Sequence, residues 1–171
     1  PLIKPYQLNA TQLEEIFFGA AYYKFIFVRE PYERMLSAFL DKIDGRKPQR
    51  EKHFKLNGLS EDDFTEFSFL DFLQTLSQNK PRKMDKHWRP QSELTFLPVM
   101  SYDHIGKLES FEKDWIQFAT YLKEYDANID SEKTIRWHAT GAQEKLAKYY
   151  TPEHFALVNK IYAADFKNFE Y

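Results

Sequence analysis

The chain has 171 residues, 24 basic and 26 acidic side chains, a net charge of −2 and no cysteine. That length predicts one domain spanning residues 1–171, and an aromatic content of 18% can fill its core because each ring buries a large area. The near-balanced charge argues against a global field for nucleic acid or an anionic membrane, and the missing thiols exclude disulfides, thiolate metal sites and cysteine nucleophiles.

In chain order, Pro1 to Asn9 reads as a lead-in without a signal-peptide pattern, and residues 11–20 fit a short helix with Asn9 or Thr11 as cap. Residues 23–28 follow as a strand, in which Phe25, Ile26, Phe27 and Val28 form a short apolar block of the kind buried on both faces of a parallel sheet. Pro31 suits the first turn of a helix, which runs to about residue 45, where Gly45 and Pro48 stop it. Residues 46–62 are charged and irregular and read as a surface loop. A second helix opens at Phe67–Leu76 with Ser68 as its cap, and Pro81 ends it. Val99 to Lys107 holds a short strand, Glu109 to Tyr125 an amphipathic helix, and residues 126–140 a polar connection. Helices near 141–149 and 152–170 finish the chain, the second started by Thr151-Pro152-Glu153. No apolar run approaches a membrane span. The expected fold class is α/β, a small parallel sheet flanked by helices.

Polar groups gather at one end of the first strand–helix unit. Arg29 sits where the strand runs out, and Arg34 and Ser37, three apart, share a helix face. In open α/β sheets ligands bind beyond the carboxyl ends of the strands. Two guanidinium groups, a hydroxyl and a helix N-terminus there suit a phosphate. The alternative is that Arg29 closes an ion pair with a neighbouring carboxylate and Ser37 is a small packing residue.

The segment Arg29-Glu-Pro31-x-x-Arg34-x-x-Ser37-Ala38 resembles the 3′-phosphate-binding segment of carbohydrate sulfotransferases, above all the chondroitin and dermatan 4-O-sulfotransferases. Two further blocks carry the same resemblance in the same order. One is His87-Trp88-Arg-Pro90-Gln-Ser-Glu-Leu94 with Tyr102-Asp103-His-Ile-Gly106-Lys107-Leu-Glu109. The other is Ile161-Tyr162-x-x-Asp165-Phe166-x-x-Phe169-x-Tyr171. The resemblance implies a P-loop-like sulfotransferase fold and transfer of a sulfuryl group from 3′-phosphoadenosine-5′-phosphosulfate (PAPS) to a carbohydrate hydroxyl. It implies Arg29 and Ser37 as ligands of the nucleotide's 3′-phosphate. Arg34, by its position alone, either joins them or pairs with Glu30, Glu33 or Asp41 on its own helix.

Sulfuryl transfer needs a group that takes the acceptor's proton. His87 is the candidate general base, because a histidine with an ordinary pKa near ~6.5 is partly neutral at working pH. The alternative is a surface or capping histidine. Trp88 and Arg89 are the candidate acceptor contacts: a stacking platform and a cation for a sugar's carboxylate or sulfate. His104, His138 and Lys107 are weaker candidates. No metal is required by this chemistry, and no ligand cluster is evident in the sequence.

The chain departs from the family twice. Golgi members carry two cysteines between the His-Trp and Tyr-Asp blocks, where this chain has Thr95-Phe-Leu-Pro98. That favours a bacterial-type, cytoplasmic relative over a protein of the Golgi lumen. The family's lysine-bearing loop for the 5′-phosphosulfate has no counterpart in residues 1–22, so the sequence reads as the C-terminal part of such a domain. A catalytically silent glycan-binding module is the second expectation. A kinase-like transferase lacks the Gly-x-x-x-x-Gly-Lys loop it would need.

Overall fold

A computed structural model describes residues 5–60, 67–123 and 142–171. Contacts divide the chain into two compact units.

The first unit holds helix α1 (Ala10–Phe18), strands β1 (Phe25–Val28) and β2 (His104–Lys107), and helix α6 (Phe111–Lys123). Asn9 caps α1 in a reciprocal box: its Oδ1 accepts the Gln12 N–H at 2.9 Å and the Gln12 side chain accepts the Asn9 N–H at 3.0 Å. β1 and β2 pair in parallel, from Phe25 opposite His104 to Val28 opposite Lys107. The Asp103 carboxylate accepts the Lys24 N–H at 2.7 Å and its own N–H donates to the Lys24 carbonyl at 2.8 Å, so the Tyr-Asp block sets the register where the strands begin. α6 lays Phe118 against this pair, its ring centroid 4.1 Å from that of Phe25 and 5.6 Å from that of His104. β1 is less enclosed than its apolar run implies. Val28 is 1% exposed but Phe25 keeps 47% of its surface, since the sheet has two strands among the described residues.

Gly106 faces Phe27 in the ladder, and a Cβ there would lie 2.4 Å from that ring. Gly106→Ala must therefore displace Phe27 from its packing on Phe111 and Trp115. Urea unfolding should show a loss of about 1–3 kcal/mol. An unchanged midpoint would mean the ring swings aside freely.

The second unit is helical: α2 (Pro31–Ala38), α3 (Pro48–Leu56), α4 (Phe69–Ser77), α5 (Gln91–Leu94), α7 (Ala142–Tyr149), α8 (Pro152–Ile161) and α9 (Ala163–Asn168). α2 widens into a π-helical turn over Phe39–Asp44, closed where the Gly45 N–H donates to the Leu40 carbonyl at 3.1 Å. The charged segment expected to be a loop contains α3. Its buried face is Arg50, His53 and Phe54, at helical spacing but with one apolar residue among three, so hydrophobic periodicity could not reveal it. Arg50 earns its burial by stacking 4.6 Å above the Phe54 ring and donating to the Ile43 carbonyl at 3.2 Å. Ser68 caps α4 through a box with Asp71, as its sequence predicts. The last predicted helix breaks at Tyr162 into α8 and α9. The core of this unit joins Met35, Leu36, Phe72, Leu76, Trp88 and Tyr162.

His53 lies in that core, 2% exposed, with Nε2 2.8 Å from the Thr75 hydroxyl and its ring edge-on to Trp88. Burial lowers its pKa to about 4. The unfolded chain, with an ordinary histidine, binds this proton more tightly, so the stabilisation is present above about pH 6.5 and is lost as pH falls toward 4. The shift corresponds to about 3 kcal/mol across that window. His53→Gln should flatten this part of the pH–stability curve. An equally steep curve in the variant would assign the loss to other groups.

Candidate active site

Every sequence-predicted site residue that the structure describes, apart from His104 and Lys107, lies in the helical unit. Arg29 follows β1 directly and precedes Glu30, the N-cap of α2. The Glu30 carboxylate accepts the Glu33 N–H at 2.8 Å, so the helix N-terminus expected to face a phosphate is capped by the chain's own carboxylate. That cap takes up one of the first N–H groups of α2.

Arg29 makes the ion pair named as the alternative: Nη2 lies 3.5 Å from Oε2 of Glu33. A guanidinium carries five N–H donors, so one long contact does not exhaust it. Arg34 is half-buried, and its Nη2 donates to the Lys86 carbonyl at 3.1 Å instead of pairing along its own helix. Burial pushes the Arg34 guanidinium below its ordinary value; Tyr162 and Asp165 oppose that, and the nearby charge of Arg29 adds to it. Ser37 lies one turn beyond Arg34 on α2, partly exposed.

The Arg34–Lys86 bond brings the turn before α5 against α2, and His87 sits in that turn. Its Nδ1 is 2.5 Å from Oδ1 of Asp85, and the same oxygen accepts the His87 N–H at 3.0 Å. Burial acts to raise the Asp85 carboxyl, but the two bonds to His87, the His87 charge and Lys52 outweigh it and hold the pKa below the ordinary carboxylate value. An ionised carboxylate only accepts, so the proton of this bond sits on Nδ1, and Nε2 is the other nitrogen of a half-buried ring. Sequence reasoning missed Asp85, although an Asp two residues before a candidate base was there to be noticed.

Trp88 is not placed as an acceptor platform, and Arg89 is tied to its own turn. The Trp88 indole is 1% exposed, edge-on to Phe72 at 5.3 Å, and its carbonyl accepts the Tyr162 hydroxyl at 2.5 Å. A ring enclosed on its faces cannot stack on a sugar, and the tryptophan of the His-Trp block belongs to the core. Arg89 closes its own turn, donating from Nε at 3.1 Å and Nη2 at 2.7 Å to the Met84 carbonyl. His104 is part of the aromatic cluster under α6 and is not a solvated strand residue, and His138 lies outside the described residues. The Lys107 N–H donates to the Asp114 carboxylate at 2.6 Å.

Gln91, Ser92 and Asp165 also escaped notice as individuals, though all lie inside the quoted blocks. Asp165, fully buried, accepts the Gln91 N–H at 2.7 Å, the Ser92 N–H at 2.8 Å and the Ser92 hydroxyl at 2.7 Å. Separately, a cleft of about 480 Å³ is lined by Glu30, Tyr32, Asn159, Ala163, Phe166 and Tyr171. Among the described residues no group of His, Asp and Glu has the arrangement to hold a metal ion, and no helix is long and apolar enough to cross a membrane.

The sequence profile of the sulfotransferase family matches residues 4–171. Carbohydrate sulfotransferase 14 of Homo sapiens is 26% identical over 160 residues, covering 88% of this chain and 42% of that protein. The Danio rerio protein of the same name is 30% identical over 172 residues, covering 88% and 44%. Carbohydrate sulfotransferase 8 of Mus musculus is 35% identical over 108 residues, covering 56% and 25%. The chain spans less than half the length of these curated relatives. No solved structure matches it.

Proposed function

From the premise that this chain belongs to the sulfotransferase family, as a homologue of carbohydrate sulfotransferases, we propose that it serves transfer of a sulfuryl group from PAPS to a carbohydrate hydroxyl. Arg29 and Ser37 hold the nucleotide's 3′-phosphate, and Arg34 adds positive charge beside them. His87 takes the acceptor's proton on Nε2 while Asp85 holds Nδ1–H. The donor supplies the sulfuryl group; its sulfur gains the acceptor oxygen and loses the bond to the 5′-phosphate, and adenosine 3′,5′-bisphosphate leaves. The observation that carries this reading is the Arg34–Lys86 bond at 3.1 Å, which ties the helix of the phosphate segment to the residue before His87.

The acceptor's contacts are assigned to no tryptophan, given the burial of Trp88. The acceptor sugar and hydroxyl are identified by supplying desulfated chondroitin and dermatan with PAPS labelled in its sulfuryl group and locating the label.

Calorimetric titration of adenosine 3′,5′-bisphosphate into the intact protein tests the nucleotide contact. Arg29→Ala should weaken binding by about 1.5–3 kcal/mol, the value of a charge-assisted hydrogen bond. Equal affinity in the variant would remove Arg29 from the site. Salt-sensitive binding of a sulfated polysaccharide with no nucleotide binding would instead mark a silent glycan-binding module.

A further inference from the structure

We infer that Gln91 is a positioning residue for Arg29, locked in place by the buried carboxylate of Asp165. The inference rests on the reading of Arg29 as a ligand of the 3′-phosphate.

Arg29 occupies an awkward place in the backbone. It lies past the end of β1 and before the N-cap of α2, so neither strand ladder nor helix supplies its main-chain partners. The Gln91 side chain does. Its Oε1 accepts the Arg29 N–H at 2.9 Å, and its Nε2 donates to the Arg29 carbonyl at 2.7 Å. A carboxamide bound to both polar groups of one residue acts as a neighbouring strand would. It restricts the rotation of Arg29 on both sides of Cα, and with it the direction in which the side chain leaves the backbone.

The grip is itself anchored. Gln91 is 7% exposed, and its N–H and the Ser92 N–H both end on Asp165, which is fully buried. The chain of bonds therefore runs from Asp165 on α9, through the start of α5, to Arg29. The three blocks singled out in the sequence, distant along the chain, meet in it. A phosphate ligand must be held to a fraction of an ångström to bind well, and a residue between two elements has no regular structure to hold it.

Gln91→Leu keeps the volume and removes both bonds. Calorimetry on the intact protein should compare adenosine 3′,5′-bisphosphate with adenosine 5′-phosphate, which lacks the 3′-phosphate. Gln91→Leu should weaken the bisphosphate about tenfold. It should leave the monophosphate within about twofold, a difference that general destabilisation would not produce. Adding Arg29→Ala to Gln91→Leu should give no further loss beyond Arg29→Ala alone. If Gln91→Leu does not fold, Gln91→Met, uncharged, of similar length and without the amide's donor and acceptor, gives the same comparison. Equal weakening of both nucleotides would overturn the inference. So would an unchanged bisphosphate affinity while Arg29→Ala still weakens it. If Arg29→Ala itself has no effect, the reading beneath the inference falls, and the inference with it.

Discussion

Asp165→Ala should lower the unfolding free energy by about 3–5 kcal/mol, because three donors inside the protein lose their shared acceptor at once. Two of those donors are the backbone N–H groups of Gln91 and Ser92, which cannot turn away, and the third is the Ser92 hydroxyl. Burial leaves water no easy way to replace the carboxylate, since Asp165 has no exposed surface. Asp165→Asn should cost less, because one amide oxygen still accepts, but its NH2 group then opposes an N–H donor. Equilibrium unfolding in urea measures both. A loss below about 1 kcal/mol in Asp165→Ala would show that the N-terminus of α5 finds other acceptors.

His87→Ala should reduce turnover by about 10²–10⁴-fold in an assay of sulfuryl transfer to desulfated chondroitin or dermatan, the range expected when a general base is removed. Its affinity for adenosine 3′,5′-bisphosphate should stay near that of the unaltered protein, since the ring acts on the acceptor. Asp85→Asn should fall between the two. The Asp85 carboxylate touches no substrate in this scheme, but it holds the His87 ring through a 2.5 Å contact and determines which nitrogen carries the proton. Turnover unaffected by His87→Ala would return this histidine to the role of a capping group for its own turn.

The fold was legible where sequence signals are local. The Asn9 and Ser68 boxes, the Pro31 and Pro152 helix starts, and the apolar strand block each act through neighbours a few residues away. α3 was not legible, because its buried face is made of an arginine and a histidine that earn burial through partners elsewhere: the Ile43 carbonyl, the Phe54 ring and the Thr75 hydroxyl. The break at Tyr162 was hidden for the same reason. A tyrosine at helical spacing looks like any core residue until its hydroxyl is seen on the Trp88 carbonyl.

For the candidate site, the sequence pattern singled out residues but not the contacts they make. Arg29, Arg34, Ser37 and His87 stand in recognisable patterns. The patterns do not tell which members face a ligand and which hold those that do. Trp88 looked like a sugar platform because tryptophan often is one, yet its surroundings of Phe72, His53 and Tyr162 make it the centre of a core. Gln91 looked incidental, although its amide meets both main-chain groups of Arg29. Sequence separation of 62 residues between those two hides such a contact from any reading of local spacing.

The most direct test is a crystal structure of the intact protein with adenosine 3′,5′-bisphosphate bound. The 3′-phosphate oxygens are predicted to lie about 3 Å from the Arg29 guanidinium and the Ser37 hydroxyl. A nucleotide bound in full occupancy with its 3′-phosphate against other residues, and Arg29 still turned only to Glu33, would contradict that account.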